Sequence, residues 1–203
     1  SDSIFYYLVT YHTSTGNIIY LFRTLVYTNK GVLVTLIELV KLTDFGRTFV
    51  ANINITSFAA NTNASACSAN GQIILAACNN NIAFSRDFGI TWSKYPSTTT
   101  QTFTNCCISA DGQKMYAFQN NNNNTLNLYI STNAGITWTI NNVSTLSLRP
   151  TLGNNGMCCS ADGQYIYFTN TNTNTNITPY YSSNFGLTIN PIQNLPLYLN
   201  WAM

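Results

Sequence analysis

Two short patterns recur in step along this chain, and their spacing constrains the fold more than any other feature. The first occupies Leu42-Thr-Asp-Phe-Gly-Arg-Thr-Phe49, Ser85-Arg-Asp-Phe-Gly-Ile-Thr-Trp92, Ser131-Thr-Asn-Ala-Gly-Ile-Thr-Trp138 and Ser182-Ser-Asn-Phe-Gly-Leu-Thr-Ile189. Its consensus is S-x-[DN]-x-G-x-T-[WF], and Asp44, Asp87, Asn133 and Asn184 follow one another at intervals of 43, 46 and 51 residues. The second pattern is Ser68-Ala-Asn-Gly-Gln72, Ser109-Ala-Asp-Gly-Gln113 and Ser160-Ala-Asp-Gly-Gln164, with Ser14-Thr-Gly-Asn17 as a weaker first copy. Each copy precedes an alternating apolar run. Two motifs locked in phase mark a repeat architecture, in which each repeat is one supersecondary unit.

The third unit shows what each repeat builds. A strand over 104–109 ends in an Asp111-Gly112 turn, where Gly tolerates a positive φ and Asp bonds its own backbone. A return strand covers 114–119, and Asn120–Asn124 reads as a solvated loop. A third strand, 125–131, places Leu126, Leu128 and Ile130 on one face, and a fourth covers 137–141 after the Asn133-Ala-Gly135 turn. Four short strands per unit of about 40–50 residues predict an all-β, propeller-type array of four blades. The approximate blades are 1–54, 55–97, 98–144 and 145–192 within one domain, 1–203. Residues 193–203 read as the start of a fifth unit or a closing strand, which makes the chain a candidate fragment of a larger propeller. An open array leaves edge strands that proteins cover or pair, so continuation or pairing with another chain is expected. The apolar stretch Val32 to Val40 is a candidate contact.

The eight-residue motif is a self-contained turn. The Asp or Asn side chain accepts backbone N–H bonds across the loop. The glycines at 46, 89, 135 and 186 supply a backbone geometry that a side chain opposes. Thr restarts a strand, and Trp92 and Trp138 pack back under the turn. This arrangement resembles the Asp-box, or BNR repeat, of the sialidase-like β-propellers. The resemblance implies that the box lies at the blade edge between third and fourth strands, away from the binding face. It also implies a structural role for Asp44, Gly46, Asp87, Gly89, Trp92, Asn133, Gly135, Trp138, Asn184 and Gly186, and a first strand that is innermost in each blade.

Charge is scarce, at 7% of residues, while 30 positions are Asn and the net charge is +2. No basic stripe for nucleic acid is present. Sialidases of the resembling family use three arginines, a Tyr paired with a Glu, and an Asp. Here Arg47 and Arg86 lie in boxes and Arg149 precedes Pro150. Only Leu21-Phe-Arg-Thr24 resembles the arginine motif near the start of that family. Asp44 and Asp87 belong to boxes, and Asp111 and Asp162 to hairpin turns, which leaves Asp2 and Glu38. Two-carboxylate glycoside hydrolysis needs a pair flanking the bond, so no catalytic residue is assigned. His12, the sole histidine, reads as a surface or satisfied side chain rather than a general base. No cofactor or metal is expected: the cysteines form no CxxC pair, and Ca²⁺ wants 6–8 oxygens with several carboxylates.

Cys67, Cys106, Cys107, Cys158 and Cys159 precede the S-A-[DN]-G-Q turns on the first strands of units two to four. Packed thiols and an inter-blade disulfide both remain open for them. Bridges within 106–107 or 158–159 are disfavoured by the alternating strand geometry. A turn at Asn70-Gly71 pairs Cys67 with Ile74 rather than Cys78. Tyr165 and Tyr167 alternate along a strand, while Tyr180, Tyr181, Tyr198 and Trp201 are the candidate ligand surface. Sequons at Asn54, Asn63, Asn123, Asn142 and Asn176 are candidate glycosylation sites, and the Thr-Asn tract from Thr169 to Thr178 reads as an exposed loop. No apolar run is long enough to span a membrane as a helix. Ser1-Asp2-Ser3 shows neither a Met nor a secretory pattern, so the chain reads as processed, excised or partial. Low charge with abundant Asn and Thr points to an extracellular or virion-surface protein. The expected function is a non-catalytic binding or scaffold module with a protein partner or self-association. The alternatives are a glycan-binding, inactive sialidase relative and a fragment of an active glycoside hydrolase.

Overall fold

Each repeat folds back on itself three times, because runs of β-branched and aromatic residues alternate with Gly-containing turns. The computed structural model describes residues 4–30, 32–55, 57, 62–95, 102–121, 125–143, 156–173 and 176–193. Blade 1 holds β1 (Ile4–His12), β2 (Ile19–Asn29), β3 (Val32–Thr43) and β4 (Thr48–Asn54). Blade 2 holds β5 (Thr62–Cys67), β6 (Ile74–Cys78), β7 (Ile82–Ser85) and β8 (Ser93–Tyr95). Blade 3 holds β9 (Thr102–Ile108), β10 (Met115–Asn121), β11 (Thr125–Ser131) and β12 (Thr139–Asn142). Blade 4 holds β13 (Met157–Cys159), β14 (Ile166–Thr173), β15 (Asn176–Ser182) and β16 (Asn190–Pro191). Each blade is a four-stranded antiparallel meander, with strands in sequence order. The first strands pack side by side, β1 against β5, β5 against β9 and β9 against β13.

The core lies between blades rather than within them. Tyr20, Phe22, Ile37 and Leu39 of blade 1 pack on Ile74, Ala76, Ala83 and Trp92 of blade 2. Leu75, Ile82 and Phe84 of blade 2 meet Phe103, Met115, Ala117 and Tyr129 of blade 3. Tyr116, Phe118, Leu128 and Ile130 of blade 3 meet Ile166, Phe168 and Tyr180 of blade 4. A sheet must bury an apolar face against another layer, and here each blade supplies a leading face to the blade after it and a trailing face to the blade before. Each large side chain buried this way contributes about 1.5–3 kcal/mol. No core cluster joins blade 4 to blade 1 among the described residues.

Two expected loops are strand over most of their described residues, while 122–124 and 174–175 lie outside them. Asn120 and Asn121 extend β10, pairing with Leu126 and Thr125. In the Thr-Asn tract, Thr169, Asn170 and Thr171 pair with Pro179, Thr178 and Ile177 across β14 and β15. Threonine is β-branched and suits a pleated ladder. A polar tract therefore extends a hairpin that its apolar neighbours have already nucleated. Cys67 pairs with Ile74 in the β5–β6 hairpin.

Candidate functional site

The second box shows how the motif closes. The Ser85 hydroxyl donates to Asp87 Oδ1 at 2.8 Å and accepts the Gly89 N–H at 2.9 Å. Asp87 in turn accepts the Thr91 N–H at 2.8 Å and the Thr91 hydroxyl. The Trp92 indole N–H reaches the Gly89 carbonyl at 2.9 Å. The third box repeats the scheme, with Thr137 N–H on Asn133 Oδ1 and Gly135 N–H on Ser131 Oγ. Two things change: the Asn133 amide donates to the Thr137 hydroxyl, where Asp87 accepts from Thr91, and the Trp138 indole N–H lacks the carbonyl partner that Trp92 has. Asn184 does the same toward Thr188 in the fourth box. The first box has Leu42 in place of Ser, so no hydroxyl is present to organise the loop. There Asp44 itself adopts φ +51, and Thr48 Oγ1 donates to Asp44 Oδ2 at 2.9 Å.

The two sequence motifs are in phase because they are bonded to each other. The box residues Phe88, Ala134 and Phe185 donate their N–H groups to the carbonyls of Gln72, Gln113 and Gln164, at 2.9 Å each. The hairpin turns also join one blade to the next. Ser14 N–H donates to Ala69 O, Ala69 N–H to Ala110 O, and Ala110 N–H to Ala161 O. Tyr20 Oη donates to Gly71 O at 3.0 Å and Tyr116 Oη to Gly163 O at 2.7 Å, again from one blade to its successor. The boxes and hairpin turns of each blade are thus bonded to one another, and the first three hairpins each to the next.

The acidic residues are consumed by this architecture. Asp44 and Asp87 serve boxes, Asp111 and Asp162 serve hairpin turns, and Glu38 pairs with Arg23 at 2.6 Å. Asp2 lies outside the described residues. Arg86 Nε donates to Ala134 O at 2.8 Å, with its guanidinium over Phe84. No three His, Cys, Asp or Glu side chains gather as a metal site among the described residues, and no helix is long and apolar enough to cross a membrane.

Three turn carboxyls are held below the ordinary carboxylate range. At Asp87, desolvation opposes ionisation, and the hydrogen bonds from Thr91 and Ser85 outweigh it. At Asp111 and Asp162, the Ser109 and Ser160 hydroxyls act first and the Gln113 and Gln164 amides add to them. A carboxyl whose folded pKa lies below its unfolded value of about 3.9 adds stability above that pH. It loses the contribution as pH falls through the folded pKa. Stability is therefore expected to hold down to about pH 4 and to fall below it. Asp111→Asn with Asp162→Asn is expected to flatten that fall. Asn70 already makes the same turn with its amide oxygen accepting the Gln72 N–H at 3.0 Å. Denaturation midpoints at neutral and acid pH measure the difference. An equal acid loss in wild type and double variant would move the sensitivity elsewhere.

Two of the candidate ligand residues, Tyr180 and Tyr181, lie among the described residues. Tyr180 is a correction: it is buried between blades 3 and 4, stacked on Phe168 at 5.4 Å, so the core uses its ring face. Tyr181 is half-buried, and Tyr198 and Trp201 lie outside the described residues. Tyr165 and Tyr167, read from sequence as ordinary strand alternation, are instead exposed, at 42% and 44%. The signal that finds them is the repeat alignment itself: Tyr167 occupies the position of the fully buried Tyr20 and Tyr116.

Of the sequons, Asn54 and Asn142 are exposed at strand ends. The Asn63 amide donates to Phe103 O and Asn79 Oδ1, so a glycan on that nitrogen is incompatible with the bonds it makes. Asn176 begins β15, and Asn123 lies outside the described residues. All six cysteines are free. Burial pushes the Cys67 thiol up to about 12 and raises Cys106 and Cys107 further. The Cys159 thiol, across the boundary between blades 3 and 4, adds to the rise at Cys107.

The BNR/Asp-box repeat model matches residues 83–94 and 129–139, the second and third boxes. No curated protein matches the chain. Among solved structures, a GH74 enzyme of Niastella koreensis is similar over 91% of this chain and 30% of its own, with 19% identity and a TM-score of 0.64. A putative TolB of Agrobacterium tumefaciens is similar over 96% of this chain and 64% of its own, with 15% identity and a TM-score of 0.55. A nidogen/laminin complex contributes a third likeness, over 94% and 61%, with 9% identity and a TM-score of 0.50. The chain thus spans less than two thirds of each of these structures. Sheet order, bonded motif pairs and these likenesses converge: the chain is a β-propeller protein built on BNR/Asp-box repeats.

Proposed function

We propose that the chain is a non-catalytic binding or scaffold module, displayed outside the cell or on a virion, that recognises a protein partner. The observation that carries this reading is the engagement of the carboxylates. Every described Asp and Glu is committed to a turn or to the Arg23 ion pair. Glycoside hydrolysis needs two carboxyls facing across a bond, and these are spread over separate turns. The nidogen/laminin likeness offers a precedent for the fold in a protein complex. The Asn- and Thr-rich surface, with sequon residues Asn54 and Asn142 exposed, suits an extracellular setting.

The test is turnover of fluorogenic sialosides and glucosides by the 203-residue chain, together with a glycan array. Hydrolysis at the buffer background and no saturable glycan binding are expected. Turnover would overturn the reading in favour of a hydrolase. Saturable binding to one glycan would replace it with the inactive, glycan-binding alternative.

A further inference from the structure

The strand geometry sorts the six thiols by the direction each one faces. Adjacent strand residues point to opposite sides. Cys106 and Ile108 pack in the cluster between blades 2 and 3, where Cys106 Sγ reaches Leu75 O at 4.0 Å. Cys107, between them, turns the other way into the cluster between blades 3 and 4. On the next first strand, Met157 and Cys159 pack against that same cluster, while Cys158 between them is exposed. Cys107 and Cys159 are therefore brought to one boundary from opposite sides. Cys67 and Cys78 both belong to the boundary between blades 1 and 2, but they sit at opposite ends of the β5–β6 ladder, paired with Ile74 and Thr62.

The repeat marks the place where Cys107 and Cys159 meet as a contact position. The Ala110 N–H to Ala161 O bond pins the two hairpins together at 2.7 Å, three residues after Cys107 and two after Cys159. Counted back from Ser68 and Ser109, the same two places at the preceding boundary are Ala66 and Ile108, and both pack in the cluster there. The equivalent bond, Ala69 N–H to Ala110 O, pins those hairpins. Each of these boundaries thus brings one side chain from each first strand to the same place. At the boundary between blades 3 and 4, both of those side chains are cysteine.

We propose that Cys107 and Cys159 are a redox pair that closes into a disulfide between blades 3 and 4, with a small-molecule disulfide such as glutathione disulfide as the oxidant. Cys159 is the entry thiol, because it is half-buried whereas Cys107 is 4% exposed. The neighbouring Cys107 thiol also holds the Cys159 thiol below its ordinary value, against the burial that opposes ionisation, and burial pushes Cys107 well up. The thiolate is the attacking species in disulfide exchange. The Cys159 sulfur, its proton released to water, attacks one sulfur of the oxidant. That S–S bond breaks, and one glutathione leaves as a thiolate that takes up a proton. The Cys107 sulfur then attacks the Cys159 sulfur of the mixed disulfide, and its proton goes to the second departing glutathione. Two protein thiols and one glutathione disulfide become one protein disulfide and two glutathione thiols. The bond joins residues 52 positions apart, so it restricts the unfolded chain and holds together two blades that otherwise meet through packing and hairpin bonds. The inference is independent of what the module recognises.

The 203-residue chain is equilibrated with glutathione mixtures of rising oxidised share, quenched and mapped by tandem mass spectrometry without reduction. A parallel sample carries Cys158→Ser, which removes the exposed thiol. A Cys107–Cys159 linkage is expected in both, reversed by dithiothreitol. The linked form should melt roughly 5–15 °C above the reduced form. Cys107→Ala should stop at a single glutathione on Cys159, and Cys159→Ser should take up none at Cys107. Circular dichroism shows whether these variants fold, and the wild-type map decides the linkage even where Cys107→Ala does not. Thiols still free at 107 and 159 at an oxidised share that links the urea-unfolded chain would overturn the proposal. So would a linkage of either residue to a different cysteine, or a wild-type glutathione adduct on Cys159 that never closes.

Discussion

Gly89→Ala is expected to destabilise the chain by roughly 2–5 kcal/mol. Gly89 adopts φ +85 in the turn of the second box. An L residue in that region costs roughly 1–2 kcal/mol. The added Cβ would also lie 2.5 Å from Leu39 Cδ2 of blade 1, and Leu39 is fully buried, so it has no space to swing into. Overpacking of this kind costs about 1–3 kcal/mol. Gly46→Ala separates the two contributions. Gly46 has nearly the same φ, +87, but its nearest neighbour is Ile19 Cδ1 at 3.3 Å. Urea denaturation of both variants reads the difference. If Gly46→Ala loses as much as Gly89→Ala, the backbone conformation alone is responsible and the inter-blade contact is not.

Trp92→Ala is expected to cost about 3–5 kcal/mol, as for a large aromatic removed from a core. Trp92 seals the boundary between blades 1 and 2, edge-on to Phe22, while its indole N–H closes the box onto Gly89 O. Removing it empties the boundary and leaves the Gly89 carbonyl without that donor. Trp92→Phe should recover most of the loss, because it restores apolar volume and forfeits only the hydrogen bond, worth about 0.5–1.5 kcal/mol. Trp138→Ala should cost less, since Trp138 is only half-buried. Thermal unfolding of the three variants checks the order. Equal losses at 92 and 138 would mean that depth of burial does not set the contribution.

Four strands per unit, the box turns and the Asp-Gly or Asn-Gly hairpins were legible in the residues. Their chemistry is local: Ser85, Asp87, Gly89 and Thr91 close one loop within seven positions, and Asn133 keeps the acceptor when the charge is gone. The same local reading went wrong where polar residues lie in strands. Thr169 to Thr171 looked like loop because the tract is polar, but pairing across the hairpin lies outside the run itself. The assignment of Tyr180 to a ligand surface failed for a related reason. Tyr180 and Tyr167 are both aromatic strand residues, and composition does not distinguish a ring stacked on Phe168 from a ring facing outward.

What the sequence by itself determined was the turn: which residue bends the chain, which side chain accepts its amides, and how often the unit recurs. Only the tertiary structure decided which faces are covered. Tyr20, Tyr116 and Tyr167 hold one repeat position, yet two are fully buried and the third is 44% exposed. The physical reason is range. A turn is satisfied by atoms a few residues away, whereas a blade face is buried by a neighbour some forty to fifty residues on, and its state depends on whether that neighbour is there.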